Sequence, residues 1–112
     1  MGITHVRSDD IPTDRSAIEG DGFTTTFARF RTPPDREDRW HHHGEHHIVG
    51  YLISGRIRIE LDDATAIEVA PGDIVHIEPG TVHRETYVGD IELVGFSAGT
   101  GPGRVDVGGP PA

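Results

Sequence analysis

Glycine and proline interrupt this chain so often that long elements have little room: fifteen glycines and eight prolines fall within 112 residues. Between them lie short runs of alternating or β-branched residues. Residues 56–61 (RIRIEL) are the clearest, with Ile57, Ile59 and Leu61 on one side and Arg56, Arg58 and Glu60 on the other. Residues 23–31 (FTTTFARFR) are rich in threonine and phenylalanine and read as a strand. Residues 47–54 (HIVGYLIS) read as a mostly apolar strand covered on both faces, which Ser54-Gly55 turns into 56–61. Further strands are expected at 65–69, 74–77, 81–88 and 91–97. The turns between them are Asp62-Asp63, Ala70-Pro71-Gly72-Asp73, Glu78-Pro79-Gly80 and Gly89-Asp90. No helix is expected beyond a single turn within 16–20. Short strands at spacings of roughly 8–12 residues predict an all-β sandwich or barrel.

The length suits one domain. A chain of this size buries roughly 65% of its unfolded surface, enough for a core without staples. Residues 21–98 are assigned to the barrel. Residues 1–20 read as a polar arm, and 99–112, with five glycines and three prolines, as an extended or disordered tail. There is no cysteine, which excludes disulfides, thiolate nucleophiles and Cys-ligated zinc. There is no lysine, which excludes Schiff-base chemistry. The formal charge of −9 disfavours phosphate backbones, so neither nucleic acid nor anionic membrane is an expected partner. The first residues contain no apolar stretch of signal-peptide length, and no window approaches a membrane span. A cytoplasmic location is the expectation.

Five of the eight histidines lie within seven residues, in Trp40-His41-His42-His43-Gly44-Glu45-His46-His47. Several imidazoles converging on a point are what a transition-metal site requires. Strand alternation puts His41, His43 and His47 on one parity, and His42 and His46 on the other. A further ligand has to come from another strand, and His83, just past Pro79-Gly80, is the candidate.

Here the chain resembles the cupin family of small jelly-roll barrels, which carry a metal in the barrel mouth. The family's first motif, His-x-His followed by Glu and Gly, is matched by His41-x-His43 and by Gly55 at the end of Tyr51-Leu52-Ile53-Ser54-Gly55. The second motif is matched by Gly72-Asp73 and by Pro79-Gly80-Thr81-Val82-His83. The motif glutamate falls on Ile48, which cannot bind metal. A one-residue bulge would let His47 take that role. Otherwise the ligands are His41, His43 and His83 alone. The second motif also departs from the family pattern at Glu78 and Tyr87.

The resemblance implies a double-stranded β-helix (jelly-roll) fold, one divalent transition metal (Fe, Mn, Ni, Cu or Zn), a small-molecule substrate or ligand, and a homodimer in which the N-terminal arm is a candidate for swapping. Trp40, Phe27, Val49, Tyr51, Ile59, Val75 and Phe96 are expected to line the pocket. Glu45, Glu85 and Tyr51 are candidates for acid–base work. An oxygenase-like metalloenzyme is the first reading. A cyclase, isomerase or lyase, and a non-catalytic module that binds a small molecule or metal, are the alternatives.

Overall fold

The computed structural model describes residues 2–13, 15–37 and 39–108, and side chains outside 32–38. A short 3-10 turn, Ser8–Asp10, precedes eight strands: β1 Arg15–Gly20, β2 Phe23–Glu37, β3 His41–His42, β4 His47–Leu61, β5 Ala66–Val69, β6 Ile74–Ile77, β7 His83–Ala98 and β8 Val105–Asp106. There is no α-helix among the described residues. The strands form one antiparallel sheet that curls into a double-stranded β-helix. Its axis is β7. Along one edge β7 pairs with β4, from His47↔Ala98 to Leu61↔His83. Along the other it pairs first with β2, from Phe23↔Ala98 to Glu37↔Thr86, and then with β3 at His41↔His83.

Two expected turns prove to be bends within strands. Residues 47–54 and 56–61 are one strand, β4; of the expected strands 81–88 and 91–97, residues 83–88 and 91–97 lie in one strand, β7. The β4–β7 register shifts between Leu52 and Ser54 and again between Ser54 and Arg56. Gly55 sits in that bulge with φ +85°, and Gly89 bends β7 opposite it with φ +81°. A glycine in the left-handed region can bend a strand without reversing it. Each long strand therefore serves both halves of the barrel: β4 pairs with β6 before its bend and with β5 after it. Residues 16–20, expected at most to make a helical turn, belong to β1, which returns along β2 through Gly20↔Phe23.

The core consists of Leu52, Ile57, Ile59, Val69 and Ile91, with Phe30, Val75, Tyr87 and Leu93 packed against it. Each such side chain stabilises the fold by about 1.5–3 kcal/mol when fully buried. The alternation read in 56–61 holds at Ile57 and Ile59. The first half of β4 is not covered on both faces, however: Leu52 is buried, while Tyr51 and Ile53 on the opposite face are 45% and 41% exposed. Residues 103–107 run beside the start of β3. There β8 pairs with β3, and Val107 N–H donates to the Trp40 carbonyl at 2.9 Å.

Candidate metal centre

β3 and β7 meet at the mouth with His41 directly opposite His83. Their ring centroids are 4.3 Å apart, and both side chains are buried. The chain leaves β3 at His42, so His43 is free of the sheet and turns its ring to 4.9 Å from His41 and 5.3 Å from His83. One nitrogen from each of the three rings lies within 4.8 Å of the others.

The remaining ring nitrogens identify which ones converge. His41 Nδ1 donates to the Arg39 carbonyl at 2.6 Å, His43 Nδ1 to Gly103 at 2.9 Å, and His83 Nδ1 to Thr81 at 2.9 Å. A neutral imidazole that donates through Nδ1 carries its lone pair on Nε2. All three Nε2 atoms are thus set as acceptors facing one another. Backbone carbonyls fix the tautomers, as is typical around metal-ligating histidines. One of these carbonyls, that of Gly103, lies sixty residues from the histidine it holds.

Glu85 lies beside the group. On β7, residues 83, 85 and 87 share one face. The Glu85 Oε1 atom lies 3.3 Å from His83 Nε2, and its other oxygen accepts the Tyr87 hydroxyl. Burial would raise the carboxyl's pKa. Its contacts with the His83 ring and the Tyr87 hydroxyl, together with the nearby His41 ring, outweigh that and hold it below the usual carboxylate range. The carboxylate therefore stays charged. For His43 burial dominates and lowers the pKa, assisted by His41 and His83, against the Gly103 carbonyl and Glu85. That keeps the ring in the neutral form that binds metal. A nitrogen lone pair and a carboxylate oxygen at 3.3 Å call for a cation between or beside them. Three imidazoles with one carboxylate are a donor set that accepts first-row divalent metals.

Behind the histidines lies a cavity of about 270 Å³, bordered by His43, Glu85, Tyr87, Phe30, Ile59 and Leu93 among others. Of the expected pocket residues, Val49, Tyr51, Ile59 and Val75 border it, whereas Phe27, Phe96 and Trp40 do not. On β2 the inward parity belongs to Ala28 and Phe30, so Phe27 faces out, beneath the Arg29 guanidinium. Phe96 stacks on Phe23 on the outer face at 5.9 Å, and Trp40 packs under Arg84. Glu45 is exposed on the turn after His43.

His47 is not brought into the three-histidine group. The turn that closes with His46 N–H donating to the His43 carbonyl at 3.0 Å interrupts strand alternation, so parity does not carry across it. His47 instead begins β4 on the outer face, with its Nδ1 at 3.0 Å from His76 Nε2. Sequence reasoning gave no role to Phe30, Tyr87 or the Gly103 carbonyl. Counting by twos from His83 would have found Tyr87. Nothing local marks the other two.

Residues 28–98 match the family model described as the cupin domain. The chain belongs to the cupin family. This cupin is similar in fold to an uncharacterized conserved protein with a double-stranded β-helix domain from Klebsiella pneumoniae. The two are 18% identical with a TM-score of 0.72, covering 94% of this chain and 98% of that one. It is likewise similar to the polyketide cyclase RemF from Streptomyces resistomycificus, 20% identical with a TM-score of 0.73, covering 94% and 85%. KdgF from Halomonas sp. is 17% identical with a TM-score of 0.65, covering 78% and 77%. No curated protein matches the sequence.

Proposed function

We propose that this cupin is a metal-dependent enzyme acting on a small organic molecule, with His41, His43 and His83 holding one divalent transition metal and Glu85 as the adjoining carboxylate. The observation that carries the reading is the convergence of three tautomer-fixed imidazoles beside a partly buried carboxylate at the mouth of an apolar cavity. The bound ion would supply Lewis-acid polarisation of a substrate oxygen or, if redox-active, electron transfer with dioxygen. The apolar walls exclude water, which strengthens every charge interaction in the cavity. Glu85 can take a proton from a bound substrate, and the Tyr87 hydroxyl steadies the carboxylate in its charged form. A cavity of about 270 Å³ suits a molecule smaller than a typical drug.

Oxygenase-like chemistry is our first assignment, because the protein contributes few donors and leaves positions for both substrate and dioxygen. The similarity to RemF supports a cyclase as the second. Oxygen uptake by iron-, manganese-, nickel-, copper- or zinc-loaded protein, measured against small oxygen-chelating acids, separates the two. Turnover without oxygen consumption would favour the cyclase. A ligand that raises the melting temperature without any turnover would place the protein among binding modules. A homodimer is part of the proposal: the stacked, half-exposed Phe23 and Phe96 offer apolar area to a second copy, which sedimentation can test.

Glu85→Gln gives a direct check on the carboxylate. The amide keeps the shape and the Tyr87 contact but loses the charge, so metal affinity should fall roughly 10–100-fold. Competition with a chromophoric chelator measures it. Unchanged affinity would remove Glu85 from the site.

A further inference from the structure

We infer that His47 and His76 form a second transition-metal site, on the outer face of the barrel and separate from the three-histidine group. His47 opens β4 and His76 lies on its neighbour β6, where His76 pairs with Val49. Both project away from the core, since the alternate residues Ile48 and Ile77 face each other on the inner side. Both imidazoles are exposed.

Their geometry is that of a chelate. His47 Nδ1 and His76 Nε2 are 3.0 Å apart, with the ring planes inclined by 19°. Two metal–imidazole bonds of about 2.0–2.1 Å at a right angle set their nitrogens roughly 2.9 Å apart. The pair thus already stands at the spacing of adjacent positions in a tetragonal complex, the geometry preferred by Cu(II) and Ni(II). Without metal, one ring donates to the other. For both lone pairs to reach a metal ion, the donating ring takes its other tautomer, its proton moving by exchange with water to the nitrogen that faces away. The strands hold the rings in place, so little ordering is needed on binding.

The neighbouring histidines are otherwise engaged. His46 is tied through Nε2 to the Gly101 carbonyl at 2.9 Å and through Nδ1 to Ser97 at 3.1 Å. His42 Nδ1 accepts the Gly44 N–H at 3.0 Å, which leaves the ring proton on its Nε2. The chelating pair of the outer face is therefore His47 with His76, and copper, the tightest binder of imidazole among the divalent series, is the natural probe.

Copper(II) titration of the metal-free protein, with glycine as a weak competing chelator, tests the assignment. One equivalent should disappear from the stoichiometry in His76→Ala and equally in His47→Ala. His76→Gln, which keeps a hydrogen-bonding group, should lose it too. This difference is read whether or not the barrel site binds copper, so it stands apart from the proposed function. Both positions are on the surface, and circular dichroism of all three variants should match that of the unsubstituted chain. Stoichiometry unchanged in either alanine variant would overturn the proposal and assign any outer copper to adventitious binding.

Discussion

Replacing His83 with alanine should abolish tight metal binding, lowering affinity by more than about 100-fold. The side chain is fully buried, and its ring is the contact shared by His41, His43 and Glu85. The substitution removes the one ring in contact with all three of the other donors, and His41, His43 and Glu85 alone should not match the affinity of the full set. Loss of a buried side chain also weakens the fold, so His83→Gln is the companion variant: it keeps most of the volume and an amide donor but offers no imidazole. Both variants should lose the metal at a temperature where circular dichroism shows a folded barrel. Retention of metal at the original affinity in the two would dismiss His83 as a ligand.

Gly55→Ala should be among the most destabilising single-methyl additions in the chain. The residue has φ +85°, and a Cβ there would run into Ile91 Cδ1 and lie 2.8 Å from the Asp90 carbonyl oxygen and 3.2 Å from that of Val88. The Ile91 side chain can rotate, but the two carbonyls belong to β7 and cannot move without breaking its pairing. Left-handed strain of about 1–2 kcal/mol adds to overpacking of about 1–3 kcal/mol, giving about 3 kcal/mol in all. For a domain of this size that corresponds to a melting temperature lower by roughly 10–20 °C. Gly89→Ala is the control. Its φ is similar, but nothing lies within 4 Å of the added carbon, so strain alone applies and the drop should be about half as large or less. Equal drops would mean that the crowding at Gly55 is not felt.

The comparison of sequence with structure turns on how far a local rule reaches. Period-two alternation identified the inward faces of Ile57 and Ile59 because those residues sit in an unbroken stretch of β4. Phe27 and Phe96, expected to line the pocket for their apolar bulk, lie away from the cavity, because in sequence a large aromatic on an outer face looks the same as one in a cavity. Glycine pairs were read as turns, yet Gly55 and Gly89 bend β4 and β7 without ending them, since φ alone does not tell a bulge from a reversal. His41, His43 and His83 were legible through motif spacing. The expected fourth histidine was not resolved, because the turn at Gly44-Glu45 resets the alternation before His47. The Gly103 carbonyl that holds His43 comes from the segment read as a tail, and no local pattern points to a backbone acceptor sixty residues away.

X-ray absorption spectroscopy at the edge of a bound metal reads the donor set itself. The sample is His76→Ala protein carrying one equivalent of metal, which removes the outer pair from the signal. Three imidazole nitrogens at about 2.0–2.1 Å are expected, with the remaining scatterers oxygen. A spectrum with one imidazole or none would contradict it.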